Sequence, residues 1–159
     1  MRPDGLPQVP RGVHTWFVSP GDEADKATEL DPSGEYFPSF YYDSGSESMT
    51  WNNTDLEYET AFLGNRSIAW IRDAVTNSTP FMLYLAPHSP HGMALPAPWY
   101  TNLQINATPP RPPSWNYSAA DHHWLIAQQK PLTEPEAAAQ DAHYRSRWRC
   151  LRATDDLLL

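Results

Sequence analysis

Cysteine is almost missing from this chain. Cys150 is the single thiol in 159 residues, which excludes an internal disulfide and leaves no CxxC pair to hold zinc. Basic residues are scarce too. Eleven Lys and Arg against nineteen Asp and Glu give a formal net charge of -8, and several of the cations cluster near the C-terminus instead of forming a stripe. A polyanion would find no electrostatic footprint, so no nucleic-acid partner is expected. No apolar run approaches the length needed to cross a bilayer, and no membrane span is expected. Residues 1–10 lack the apolar centre of a signal peptide, and Leu157-Leu158-Leu159 closes the chain without a helix-ending signal. Both ends are read as cut from a longer sequence.

What the chain does contain is proline and rings. Seventeen Pro, seven Trp and eight Tyr, with aromatics at 13%, make it too aromatic for a disordered tail and too proline-rich for a helical bundle. The length suffices for one modest, loop-rich domain. Five Asn-x-Ser/Thr sites begin at Asn52, Asn65, Asn77, Asn106 and Asn116. Each is an N-glycosylation acceptor pattern, and five in so short a chain point to the secretory pathway, lysosomal or extracellular.

Residues 1–53 mix Pro, Gly, Ser and Asp with Trp16, Phe17, Phe37, Phe40, Tyr41 and Tyr42 without a sustained period, which predicts irregular backbone with short strands at 15–18 and 39–42. Ala61, Gly64, Ile68, Ile71 and Val75 then recur at spacings of three and four, predicting a helix over about 56–75 with one apolar stripe. Turn-forming residues at 76–80 lead into Phe81-Met82-Leu83-Tyr84-Leu85-Ala86, an unbroken apolar run that suits a strand covered on both faces. Helix, turn and buried strand form half of a βαβ unit. The expected fold class is therefore α/β, with His88 and His91 emerging at the strand's carboxyl end, where open α/β sheets gather ligands. Further on, Thr133-Glu134-Pro135-Glu136 has the form of a capping box, opening a helix with Tyr144, Trp148, Leu151 and Asp155 on one face.

The residues alone leave three readings of His88 and His91 open. They can be a polar feature of a surface loop bonded to backbone. They can form a zinc site with His122 or His123 and Cys150, although the spacing matches no usual zinc pattern. They can also donate a proton or bind an anion at a strand end.

The run from Thr79 through Pro87-His88-Ser89-Pro90-His91-Gly92, followed by Pro96-Ala97-Pro98-Trp99-Tyr100, resembles a conserved segment of the sulfatases, most closely the N-acetylglucosamine-6-sulfatase and arylsulfatase group. Arg111-Pro112-Pro113-Ser114-Trp115-Asn116, Asp121-His122-His123-Trp124-Leu125-Ile126 and Tyr144-Arg145-Ser146-Arg147-Trp148-Arg149 follow in the group's order and spacing. The resemblance implies that the whole chain, 1–159, is part of an alkaline-phosphatase-like sulfatase domain that hydrolyses sulfate esters of glycans or aryl sulfates. It implies that His91 is the active-site histidine, contacting the sulfate and helping the alcohol leave, with His123 and Trp124 in the substrate pocket. The His88 position varies in the family, and Lys is usual where His122 stands, so neither receives a role.

The resemblance also marks what must come from elsewhere. The formylglycine nucleophile arises in a C/S-x-P-S-R motif, which neither Cys150-Leu151-Arg152 nor any Ser here matches. The family's calcium ligands flank this segment, and Asp155-Asp156 is not among them, so no metal ligand is assigned within the chain. The remainder of the sulfatase domain is thus the expected partner, and the chain alone is expected to be inactive. Two other readings stand beside this one: a secreted carbohydrate-binding or interaction module using Trp and Tyr as stacking platforms, and a degenerate remnant whose unpaired strand edges prevent folding.

Overall fold

The computed structural model describes residues 8–18, 40–43, 46–50, 58–117 and 121–158. Its elements in chain order are β1 (Phe17–Val18), β2 (Phe40–Asp43), β3 (Ser46–Thr50), α1 (Glu59–Thr76), a 3-10 turn at Pro98–Tyr100, α2 (Trp124–Ala127), α3 (Glu134–Asp155) and a closing 3-10 turn at Asp156–Leu158.

The two short strands expected near the start are present, and the third is a polar one. β2 pairs antiparallel with β1, Phe17 opposite Asp43, and with β3, Phe40 opposite Thr50. The register of the second pair slips between Tyr41 and Tyr42, the mark of a bulge. This small sheet rests on α1. Phe17 meets Phe62 at 5.8 Å and Trp70 at 5.9 Å between ring centroids, and the Arg66 guanidinium lies 5.1 Å from the centre of the Phe17 ring. Arg66 also pairs with Asp43 of β2 at 2.6 Å, so one cation ties strand and helix both by charge and by stacking.

α1 forms where the apolar spacing placed it, but it is rotated. Its buried residues are Glu59, Thr60, Leu63, Gly64 and Ser67, while Ile68 and Val75 of the expected stripe are exposed. The face that packs is the one offering small residues, because Gly64 lets the closing turn come close: a Cβ there would run into Leu157 Cδ2. α3 is rotated for the same reason. The expected face of Tyr144, Trp148, Leu151 and Asp155 is not the buried one; Cys150 and Ala153 are buried instead. Tyr144 and Trp148 stack edge to face at 6.2 Å, and Trp148 stays exposed. The capping box closes as expected, with Glu136 Oε2 accepting both the Thr133 backbone N–H and its hydroxyl at 2.7 Å.

The core consists of Tyr58, Ala94, Ala97, Cys150 and Ala153, with Tyr100 packed against it. It joins the start of α1, the 94–100 segment and the last turns of α3. With one large side chain and three alanines, and about 0.8 kcal/mol per buried methylene-sized group, apolar burial is modest. Polar ties supplement it: the Tyr58 hydroxyl donates to the Leu95 carbonyl at 3.1 Å, and Arg149 Nε donates to the Leu103 carbonyl at 2.8 Å.

One expectation is overturned. Residues 81–86 form no strand, and the only sheet among the described residues is the antiparallel one, so the parallel βαβ half-unit with its buried strand is absent. Met82 is 92% exposed and Tyr84 86%, while Leu83 and Leu85 are half-buried. A strand exists by bonding to neighbours on each side, and β1, β2 and β3 pair with one another at the far end of the chain. The apolar run finds no ladder to join.

Candidate functional site

The site is built on residues 87–92. The His88 carbonyl accepts the His91 N–H at 2.7 Å across a turn whose centre is the cis Ser89–Pro90 peptide, and the His91 carbonyl accepts the Ala94 N–H at 3.2 Å. Gly92 takes a φ of 56°, a conformation that costs glycine nothing because it has no Cβ. Two successive turns thus reverse the chain about His91, whose residue is exposed.

Two helices pin this loop from below. Glu59, the first residue of α1, bonds His88 twice: Oε2 accepts the backbone N–H at 2.8 Å, and Oε1 lies 2.7 Å from the ring Nδ1. Ser89 is buried and donates its hydroxyl to the Cys150 carbonyl in α3 at 3.1 Å. Of the two histidines, His91 therefore stands outward while His88 is tied down. Nothing local in the sequence marks Glu59, because its partner lies 29 residues away.

His123 and Trp124 sit on α2. Their rings lie 5.6 Å apart, and His123 Nδ1 accepts the Leu125 N–H at 3.3 Å as the helix cap. Trp124, Leu125 and Ile126 are all exposed. The ring contact and the cap bond both lie within residues 123–125.

A shallow groove of about 200 Å³ joins two of the sequence motifs across 30 residues. Arg111, Trp115, Asp141, His143, Tyr144 and Arg147 are among its lining residues. The Arg111 guanidinium stacks 3.8 Å from the Trp115 ring centre and forms an ion pair with Asp141. The sequence order of the motifs gives no sign that they meet.

Of the glycosylation sites, Asn52 lies outside the described residues. Asn65 is exposed on α1, Asn77 is exposed at its C-terminal end, and Asn106 is exposed in the loop that follows the 3-10 turn. Asn116 is half-buried, its amide bonded in both directions to the Leu132 backbone. Among the described residues no group of three or more His, Cys, Asp or Glu converges on a point, so they do not fit a calcium site or the alternative zinc site. Cys150 is fully buried in the core.

Compared with curated proteins, the chain is similar to members of the sulfatase family, to the N-acetylglucosamine-6-sulfatases over nearly its whole length. It is similar to N-acetylglucosamine-6-sulfatase of Capra hircus, 30% identical over 155 residues or 97% of this chain, and to the Homo sapiens protein of that name, 29% identical over the same span. Sulfatase ppz1 of Metarhizium majus is 31% identical over 120 residues, 70% of this chain. The chain spans about 26% of the length of the N-acetylglucosamine-6-sulfatases. No family model matches the chain, and no solved structure shows significant similarity to it.

Proposed function

We propose that the chain is a segment of the catalytic domain of a sulfatase with the alkaline-phosphatase-like fold, whose complete form hydrolyses sulfate esters of glycans or aryl sulfates. The observation that carries this reading is the exposed His91 on a twice-anchored loop, within a chain that aligns along 97% of its length with a sulfatase. Cleavage of a sulfate ester builds negative charge on the bridging oxygen. An imidazole held there donates a proton or a charge-assisted hydrogen bond, and a rigid base keeps it in place during the reaction. The rest of the domain would supply the formylglycine nucleophile and the calcium, a cation that would offset negative charge on the sulfate.

The apolar surface supports the need for that remainder. Phe81, Met82 and Tyr84 are exposed, as are Ile68 and Val75 of α1, and the rest of the domain would supply neighbours for them. In the complete domain, residues 81–86 would pair as a strand and be covered. His123 and Trp124, exposed on α2, are proposed as substrate contacts, and Asn65, Asn77 and Asn106 as exposed glycan acceptors in a lysosomal or extracellular protein.

In the complete sulfatase, His91→Ala is expected to lower turnover of an aryl sulfate by about 10²–10⁴-fold with unchanged folding by circular dichroism. Wild-type kinetics in that variant would end the catalytic assignment. A second reading, a carbohydrate-binding module, is favoured by the Arg111–Trp115 stack in its groove, a combination that suits an anionic sugar. Saturable binding of a sulfated oligosaccharide that is lost in Trp115→Ala and untouched in His91→Ala would select it.

A further inference from the structure

Glu59 is the only carboxylate buried among the described residues, at 2% exposed. A charge withdrawn that far from water is tolerated only when its oxygens accept hydrogen bonds, and here both oxygens serve a single residue, His88. With Glu59 ionised its oxygens only accept, which places the proton of the 2.7 Å contact on Nδ1. Glu59 thereby selects the ring tautomer as well as the position of the backbone.

That contact sits at the root of the turn that displays His91. The His88 carbonyl receives the His91 N–H, so the turn starts on the residue that Glu59 holds by main chain and side chain together. Ser89, held by Cys150, is the second anchor. Releasing Glu59 would remove the hold on the residue where the turn starts, while the Ser89 anchor remains.

We infer that Glu59 is a positioning residue: it clamps His88 in the Nδ1-protonated form at the base of the turn and so sets where the His91 ring is presented. The inference rests on the catalytic reading of His91 proposed above. His88 is the handle and Glu59 the clamp; in this role neither touches substrate.

The test has two arms, one independent of turnover. In the 159-residue chain, nitrogen NMR shifts of the histidine rings, recorded above the imidazole titration, should show His88 protonated at Nδ1. Glu59→Gln should reverse this to Nε2, because the Gln carbonyl keeps the backbone N–H and its amide then donates to Nδ1. A wild-type His88 protonated at Nε2, or a tautomer indifferent to Glu59→Gln, overturns the clamp without any variant having to lose its fold. In the complete sulfatase, Glu59→Ala should lower kcat on an aryl sulfate by about 10–100-fold with KM little moved. Glu59→Gln, which retains both contacts through the other tautomer, should recover most of that loss. Wild-type kcat in Glu59→Ala beside an impaired His91→Ala overturns the positioning role. An unimpaired His91→Ala removes instead the catalytic reading beneath it, and the tautomer measurement still decides whether Glu59 sets the His88 ring.

Discussion

The Tyr100 hydroxyl donates to the Asp156 carboxylate, 2.9 Å from each oxygen, and so ties the 3-10 turn after the histidine loop to the turn that closes α3. The bond to Asp156 raises the phenol's pKa above its ordinary 10.0, with burial and the Asp156 charge acting in the same direction. Because the folded value is the higher one, the contribution is fully present below the unfolded value near 10.0 and disappears as pH rises through the folded value. Alkaline titration followed by phenolate absorbance should show one late-titrating tyrosine. Asp156→Asn should bring that titration down toward the ordinary range, and a titration indifferent to the substitution would contradict the assignment.

Glu136 shows the opposite sign at the other end of α3. Acceptance of the Thr133 backbone N–H, and then of its hydroxyl, lowers the carboxyl pKa below 4.5. Its contribution is therefore present above 4.5 and lost as pH falls through the depressed folded value. The protection of the Thr133 amide, measured as its exchange rate relative to the intrinsic rate at each pH, should fall on acidification in the wild type. In Glu136→Gln, where the side chain no longer titrates in this range, the acid step should vanish; its persistence would mean that another group controls the cap.

Gly64 tests whether close approach or helix propensity dominates where α1 meets the closing turn. Alanine in a helix interior is favoured over glycine by about 0.8–1.0 kcal/mol, whereas overpacking costs about 1–3 kcal/mol. The clash is with the end of the Leu157 side chain, which can turn aside, so the two effects should nearly cancel. Gly64→Ala alone should shift stability by less than about 1 kcal/mol. In a Leu157→Ala background, with the obstacle gone, the same change should stabilise by about 1 kcal/mol. Equal effects in both backgrounds, measured by urea denaturation, would show that Leu157 is not what Gly64 accommodates.

Ser89→Ala removes a buried hydrogen bond to the Cys150 carbonyl, itself part of α3. A helical carbonyl has a second lone pair for its own ladder, so the loss should be near 1 kcal/mol, well short of the cost of an orphaned group. A loss of about 3 kcal/mol or more would indicate that the hydroxyl does more than anchor the loop.

The 159-residue chain by itself should not hydrolyse a nitrophenyl sulfate with calcium added, because no residue in it matches the C/S-x-P-S-R source of the nucleophile. Calcium-dependent turnover by pure chain would disprove this.

Much of the local structure could be read from residue order. The Thr133–Glu136 cap was visible because both partners sit within one helical turn, and α1 was visible because its apolar residues repeat at helical spacing. β3 escaped notice, since Ser46–Thr50 is polar and forms a strand only by pairing with β2. Hydrophobicity alone does not mark the packed faces of α1 and α3, since Ile68, Val75 and Trp148 are exposed. Small residues, Gly64, Cys150 and Ala153, let the elements close together instead.

Sequence by itself determined the resemblance to sulfatases, the two long helices and the placing of His91 in a proline-bounded loop, because motif order and helical periodicity are properties of neighbours along the chain. Tertiary structure alone decided that Glu59 holds His88, that Ser89 reaches Cys150, that Arg111 and Trp115 meet Tyr144 and Arg147, and that residues 81–86 stand outside the sheet. These depend on which distant groups arrive within about 3–4 Å of each other, a distance at which hydrogen bonds and stacking act and which no spacing along the chain specifies.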